Sequence, residues 1–276
     1  MSVASLVSDM PEAEYHAHPA LSSSGAKKLL PPSCPAIYHW ERDHGQAPRQ
    51  EFDFGHAAHA VVLGVGAPVA VADFSDYRTK AAQAWRDEVR AAGRVPLLVG
   101  EAMQVTDMAT ALREHPIASA LLDGSRGSAE QSIFWGDARH GIARRARLDW
   151  LPDSDGGRLI LADFKTTISA EPGAIRKAVA NYGYHCQASW YIDAVRALGV
   201  AEDVAFVFIF QAKTPPYLVT VAELDAQALR VGAALNDRAM SVFADCTAND
   251  TWPGYSDDVE LVSLPPWATY VEELSV

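Results

Sequence analysis

Three consecutive stretches decide how this chain is read. They are Gly141-Ile142-Ala143-Arg144-Arg145-Ala146-Arg147-Leu148-Asp149-Trp150, then Pro152-Asp153-Ser154-Asp155-Gly156-Gly157, then Arg158-Leu159-Ile160-Leu161-Ala162-Asp163-Phe164-Lys165-Thr166-Thr167. The first and third have the apolar and β-branched content of strands, and the middle one is built of turn residues. Side chains alternate faces along a strand. Asp163 and Lys165 therefore share one face, and Ile160, Ala162 and Phe164 share the other. Asp149 shares a face with Arg147 and Arg145. A hairpin would bring two carboxylates and a lysine together, with two arginines placed to grip phosphates.

That inventory suits a divalent metal acting on a phosphodiester. Magnesium takes hard oxygen ligands and keeps several waters. A bound metal lowers the pKa of its water and polarises the phosphate. A lysine two residues from a ligand can orient that water or neutralise developing charge. Asp-x-Lys alone is common, so ordinary surface charge on an exposed hairpin stays open as a reading of this segment.

Outward from the hairpin, the chain alternates helical and strand patterns. Residues 21–32 hold a serine-capped short helix stopped by two prolines, and 34–41 a second one. Residues 52–63, 81–92 and 101–115 read as helices, and 129–135 as a strand. After the hairpin come a helical region over 172–198 with a break at 181–183, strands at 204–211 and 217–221, and a helix at 226–245. This order predicts an α/β fold with a mixed central sheet flanked by helices. Residues 1–20 are expected to be a flexible start, 21–245 one domain, and 246–276 a tail able to serve an interface.

Two of these helices carry further polar residues. Gly55 and His59 lie one turn apart, so Gly55 is expected to admit a neighbouring backbone beside the histidine. A hydrogen-bonded histidine at a helix–sheet contact fits the same position. Gln187 and Tyr191 also lie one turn apart and can support a lysine, a metal-bound water or a phosphate. A polar stripe on a half-exposed helix is the competing account.

Composition narrows the classes. The 276 residues carry a formal net charge of −12, which excludes a protein coating nucleic acid through bulk positive charge and confines DNA contact to a few cations. The three cysteines, Cys34, Cys186 and Cys246, are far apart, so no zinc site or iron–sulfur cluster is supported. No apolar run reaches membrane-spanning length and the N-terminus lacks a signal-peptide pattern, so a cytoplasmic location is expected.

Taken together, the motifs resemble the PDDEXK superfamily of metal-dependent nucleases, and most closely its RecE-type (exonuclease VIII) phage and prophage branch. Gly55-x-x-x-His59 resembles the early histidine motif, Asp149 with Asp163-Phe164-Lys165 the core Asp…Asp/Glu-x-Lys, and Gln187-x-x-x-Tyr191 the Gln-x-x-x-Tyr motif of the RecB-like branch. Residues 130–135, Glu130-Gln131-Ser132-Ile133-Phe134-Trp135, also fit. The resemblance implies a restriction-endonuclease-like core with an N-terminal helical segment. It implies that Asp149, Asp163 and His59 hold Mg²⁺ or Mn²⁺, that Lys165 activates water, and that Gln187 and Tyr191 hold the lysine and the DNA backbone. Glu130 is expected to be an acid standing behind the ligands. The implied activity is 5′→3′ digestion of double-stranded DNA ends, leaving 3′ single strands for an annealing protein, by a ring-shaped homo-oligomer, a tetramer in that branch. An endonuclease or single-strand nuclease, or an inactive DNA-end-binding module, are the alternatives.

Overall fold

The computed structural model describes residues 4–45 and 50–265. The elements run β1 (Ser5–Val7), α1 (Glu12–Ala17), β2 (Leu21–Ser22), α2 (Ser23–Lys28), α3 (Pro35–His44), α4 (Gln50–Leu63), β3 (Val69–Ala72), α5 (Lys80–Ala91), β4 (Val95–Leu98), α6 (Val99–Glu114) and α7 (Pro116–Leu121). Then follow β5 (Gly127–Asp137), β6 (Ile142–Pro152), β7 (Leu159–Thr167), α8 (Pro172–Tyr182), α9 (Tyr184–Leu198), β8 (Val204–Ala212), β9 (Val219–Glu223) and α10 (Ala226–Asn249). No described helix is long and apolar enough to cross a membrane.

The main sheet has the order β1-β5-β6-β7-β8-β9, with β2 set beside β6. Strands β5, β6 and β7 form an antiparallel meander, and β7 and β8 are parallel. A parallel pair needs a long crossover, which α8 and α9 supply. The sheet is mixed and flanked by helices, as the sequence order predicts.

Strand β8 explains why both faces are covered. All nine of its residues are buried. Phe206, Phe208 and Phe210 pack with Trp190 of α9 and with Ala239, Met240 and Phe243 of α10. Val207 and Ile209 point the other way, to Phe54 and Ala57 of α4 and Val105 and Met108 of α6. Period-two alternation thus divides one apolar run between two cores.

The start of the chain differs from the flexible segment expected. β1 pairs antiparallel with β5, Ser5 opposite Phe134 and Val7 opposite Ser132. Tyr15 of α1 is buried. The strands β3 and β4, a separate parallel pair, are an addition that the sequence reading lacks. The tail expectation falls partly on residues 266–276, outside the described residues.

Candidate active site

Asp163 lies in the middle of β7, between Ala162 and Phe164, which are buried in the α4–α6 core. Its own side chain is 1% exposed and points toward α9. One oxygen accepts a hydrogen bond from Gln187 Nε2 at 2.6 Å. The other pairs with the Lys165 ammonium two residues along the same face. Burial pushes the Asp163 carboxyl up to about 6, the nearby Asp149 charge adds to this, and Lys165 opposes it. For Lys165, burial favours the neutral amine, but Asp163 and Asp149 outweigh burial and hold the group above its usual range. The ammonium also sits 5.5 Å from the centre of the Tyr184 ring. Lys165 is therefore a fixed, protonated point charge.

Helix α9 presents Gln187 because its first turn is clamped. Gly183 takes the left-handed conformation, φ 64°, that ends α8 and starts α9. Gly232 of α10 abuts the α9 backbone so closely that a Cβ there would lie 2.1 Å from the His185 carbonyl oxygen. Asn236 of α10 donates to the Cys186 carbonyl at 2.9 Å. Tyr191, one turn beyond Gln187, hydrogen-bonds it, and burial pushes the Tyr191 hydroxyl well above its usual range. Its ring packs on Phe206, 5.9 Å between centroids.

A second group stands beside this one. His59 of α4, Glu130 of β5 and Asp149 of β6 each place a potential ligand atom within 4.8 Å of the others. His59 Nδ1 is 3.5 Å from Asp149 Oδ2. The same oxygen accepts the Phe164 backbone N–H at 3.0 Å, which ties Asp149 to the strand carrying Asp163.

The local backbone makes this possible. The β5–β6 ladder pairs Ala129 with Trp150 and Gln131 with Leu148, but skips Glu130 and Asp149. Glu130 has φ 52°, a left-handed conformation that costs a non-glycine residue roughly 1–2 kcal/mol. Leu148 and Leu151 both reach the α9 core although three residues apart, so strict alternation breaks between them. Between β6 and β7 only Trp150 and Ala162 pair, so the strands part where Asp149 and Asp163 begin. Burial raises the Glu130 carboxyl, and the Asp149 charge raises it further. Two half-buried carboxylates and an imidazole set this close repel unless a proton or a cation joins them. The donor set, two hard oxygens and one nitrogen, fits a divalent ion of the magnesium or manganese kind.

A family model described as a PDDEXK-like domain of unknown function (DUF3799) matches residues 22–265. The chain belongs to this family. No curated protein matches it. Among solved structures it is similar to a "Putative exonuclease" from Eubacterium rectale, at 12% identity and a TM-score of 0.64, over 93% of this chain and 94% of that one. At this identity the likeness is one of fold.

Within this DUF3799 domain, the residues named from sequence gather at one place, with changed parts. His59, Asp149, Asp163, Lys165, Gln187 and Tyr191 form one connected constellation. The group of residues close enough to share an ion contains Glu130 and not Asp163, whose oxygens face Gln187 and Lys165. Gln187 holds Asp163, and reaches the lysine only through it. Gly55 does not admit a neighbour, since a Cβ there would meet open space.

The two arginines are placed otherwise than expected. Arg145 is buried and donates to the carbonyls of Tyr15, His16 and His18. Arg147 donates to the Met10 carbonyl at 2.7 Å and to Ser132 Oγ at 3.0 Å. Both guanidinium groups lie over the Tyr15 ring, at 4.7 and 4.4 Å. Their donors fasten the N-terminal segment, which corrects their reading as phosphate grips. Arg147 also stands 3.9 Å from Glu130. Two features escaped the sequence reading: the place of Glu130 in the candidate ligand group and the ring of Tyr184 against Lys165. The spacing of β5 and β6 could have given the first, because a regular ladder sets Glu130 opposite Asp149.

Proposed function

We propose that this domain is a divalent-metal-dependent exonuclease of the RecE type, cutting double-stranded DNA from its ends, 5′→3′. The observation that carries the reading is the meeting, where β6 and β7 part, of an acidic cation-sized group with a buried Asp163–Lys165 pair. His59, Glu130 and Asp149 would hold the ion, with Asp163 next to it. When bound, such an ion lowers the pKa of a coordinated water and polarises the phosphate. Lys165, kept charged by Asp163, faces the negative charge that builds on the phosphate during attack. Gln187 fixes the rotamer of Asp163 and so the place of the ammonium. Arg147, close to Glu130, favours its ionised form and hence its use as a ligand.

The remaining parts of the proposal rest on family resemblance. The 3′ single strands released would feed an annealing protein in the host cytoplasm, and the active assembly would be a tetrameric ring around DNA. Incubation of the purified protein with end-labelled linear duplex and Mg²⁺ or Mn²⁺ tests the core of it. Progressive mononucleotide release, with covalently closed plasmid left intact, is expected. Cutting of the closed plasmid would point to an endonuclease, and no release with either metal would reject the nuclease reading.

A further inference from the structure

Glu130 joins the cation group through a backbone conformation that a glutamate seldom takes, with φ 52°. Residues in such conformations persist where their surroundings over-determine them. Two neighbours, neither of them in the cation group, are placed to do so: Gln131 and Ser8.

Gln131 is buried. Its amide reaches back past Glu130 and donates to the Ala129 carbonyl at 2.7 Å, so the residues flanking Glu130 are tied across it. The amide oxygen accepts the Ser8 hydroxyl at 2.8 Å. Strand β1 lies antiparallel to β5 with Val7 opposite Ser132. Continued by two residues, that register sets Ser8 opposite Gln131 and Asp9 opposite Glu130. Asp9 has a positive φ as well, 53°. Both strands therefore turn at the same level, and the Ser8–Gln131 bond is the last link before they do. Arg147, 3.9 Å from Glu130, is fastened to the same N-terminal segment, since it donates to the Met10 carbonyl at 2.7 Å. A buried amide bonded at both ends is held in one orientation, and it holds what it bonds.

Resting on the reading of Glu130 as an ion ligand, we propose that Gln131 and Ser8 are positioning residues for it. Gln131 holds the left-handed turn at Glu130, and Ser8 holds Gln131. Without this tie Glu130 returns to the extended backbone that costs it less, and its carboxylate leaves the place where it meets His59 and Asp149. The N-terminal segment, which is absent from the cation group, thereby sets the affinity of that group for a metal.

The test is a double-mutant cycle on the full chain, read as Mn²⁺ affinity by calorimetry with no DNA present. Gln131→Leu should bind Mn²⁺ about tenfold more weakly than wild type, the scale on which partners behind a metal ligand act. The same change made in a Glu130→Gln background should cost nothing further, because the residue it positions no longer ligates. A glutamine that merely supported the fold would cost the same in both backgrounds. Ser8→Ala should weaken binding about threefold, the worth of one hydrogen bond, and Ser8→Thr should restore it. Ser8 is exposed, so its variants report even if Gln131→Leu folds poorly. Equal losses for Gln131→Leu in the two backgrounds, or wild-type affinity in both Gln131→Leu and Ser8→Ala, would overturn the proposal. The Glu130→Gln variant decides the underlying reading separately. Unchanged Mn²⁺ affinity there removes Glu130 from the ligands and this inference with it, whereas a loss there with inert Gln131 and Ser8 variants overturns this inference alone.

Discussion

The site has two halves built on opposite physical terms. On the α9 side, Asp163, Lys165 and Gln187 form a closed set in which each charge has a partner. On the β5–β6 side, His59, Glu130 and Asp149 form a half-buried set with two carboxylates and no lysine among them. The first half is complete in the protein alone. The second, in the proposed reading, would be completed by a cation. The comparison teaches that five acidic and basic residues close in space need not share one role. In the proposed reading, those whose charges balance among themselves serve to place an ammonium, and those set close without such a balance would hold the ion.

The largest effect should come from the closed half. Lys165→Met is expected to slow duplex cleavage about 10³-fold, the scale of losing one preorganised charge at a developing anion, while Mn²⁺ affinity by calorimetry stays near wild type. Near-normal turnover in that variant would remove the lysine from the mechanism. Next comes the scaffold of the open half. Tyr15→Ala removes the ring under Arg145 and Arg147 and should lower stability by about 3 kcal/mol, measured by urea unfolding. An unchanged midpoint would mean that the N-terminal segment contributes little.

The open half itself is sharpened by a graded pair. Glu130→Gln should weaken Mn²⁺ binding about 10- to 100-fold without disturbing the Asp163–Lys165 pair, the range seen when a metal site loses one supporting group. Asp163→Asn should weaken it less. The reverse ranking in calorimetry would return Asp163 to the ligand set and break the division drawn here.

The smallest effect is a pH slope. Asp163 has an ordinary value of 3.8 and stands at about 6 in the fold. The folded state therefore binds its proton more tightly than the unfolded chain. That contribution is full below about pH 4 and lost as pH rises through 6. Without metal, the stability of wild type relative to Asp163→Asn should fall across this window and level off above it. A rise in the same interval would show that Lys165 overrides burial.

Much of this arrangement was legible in the sequence because it follows short-range rules. Period two along 158–167 set Asp163 beside Lys165, and the turn residues at 152–157 announced the hairpin. Helical spacing joined Gln187 to Tyr191. What escaped depends on departures from those rules or on distant segments. Alternation breaks beside Asp149, opposite Glu130 in its left-handed conformation; regular pairing of β5 with β6 sets the two residues opposite each other, but no local pattern signals the break itself. Arg145 and Arg147 looked free because each donates to backbone carbonyls more than a hundred residues away. Strands β1, β2, β3 and β4, each of two to four residues, are too short to show a period.

Anomalous diffraction from crystals soaked in Mn²⁺ tests the central division most directly. We expect a manganese peak in contact with His59, Glu130 and Asp149, with Lys165 still paired to Asp163. A peak held by Asp163 with Glu130 turned away, or no peak between the β5–β6 acids, would contradict it.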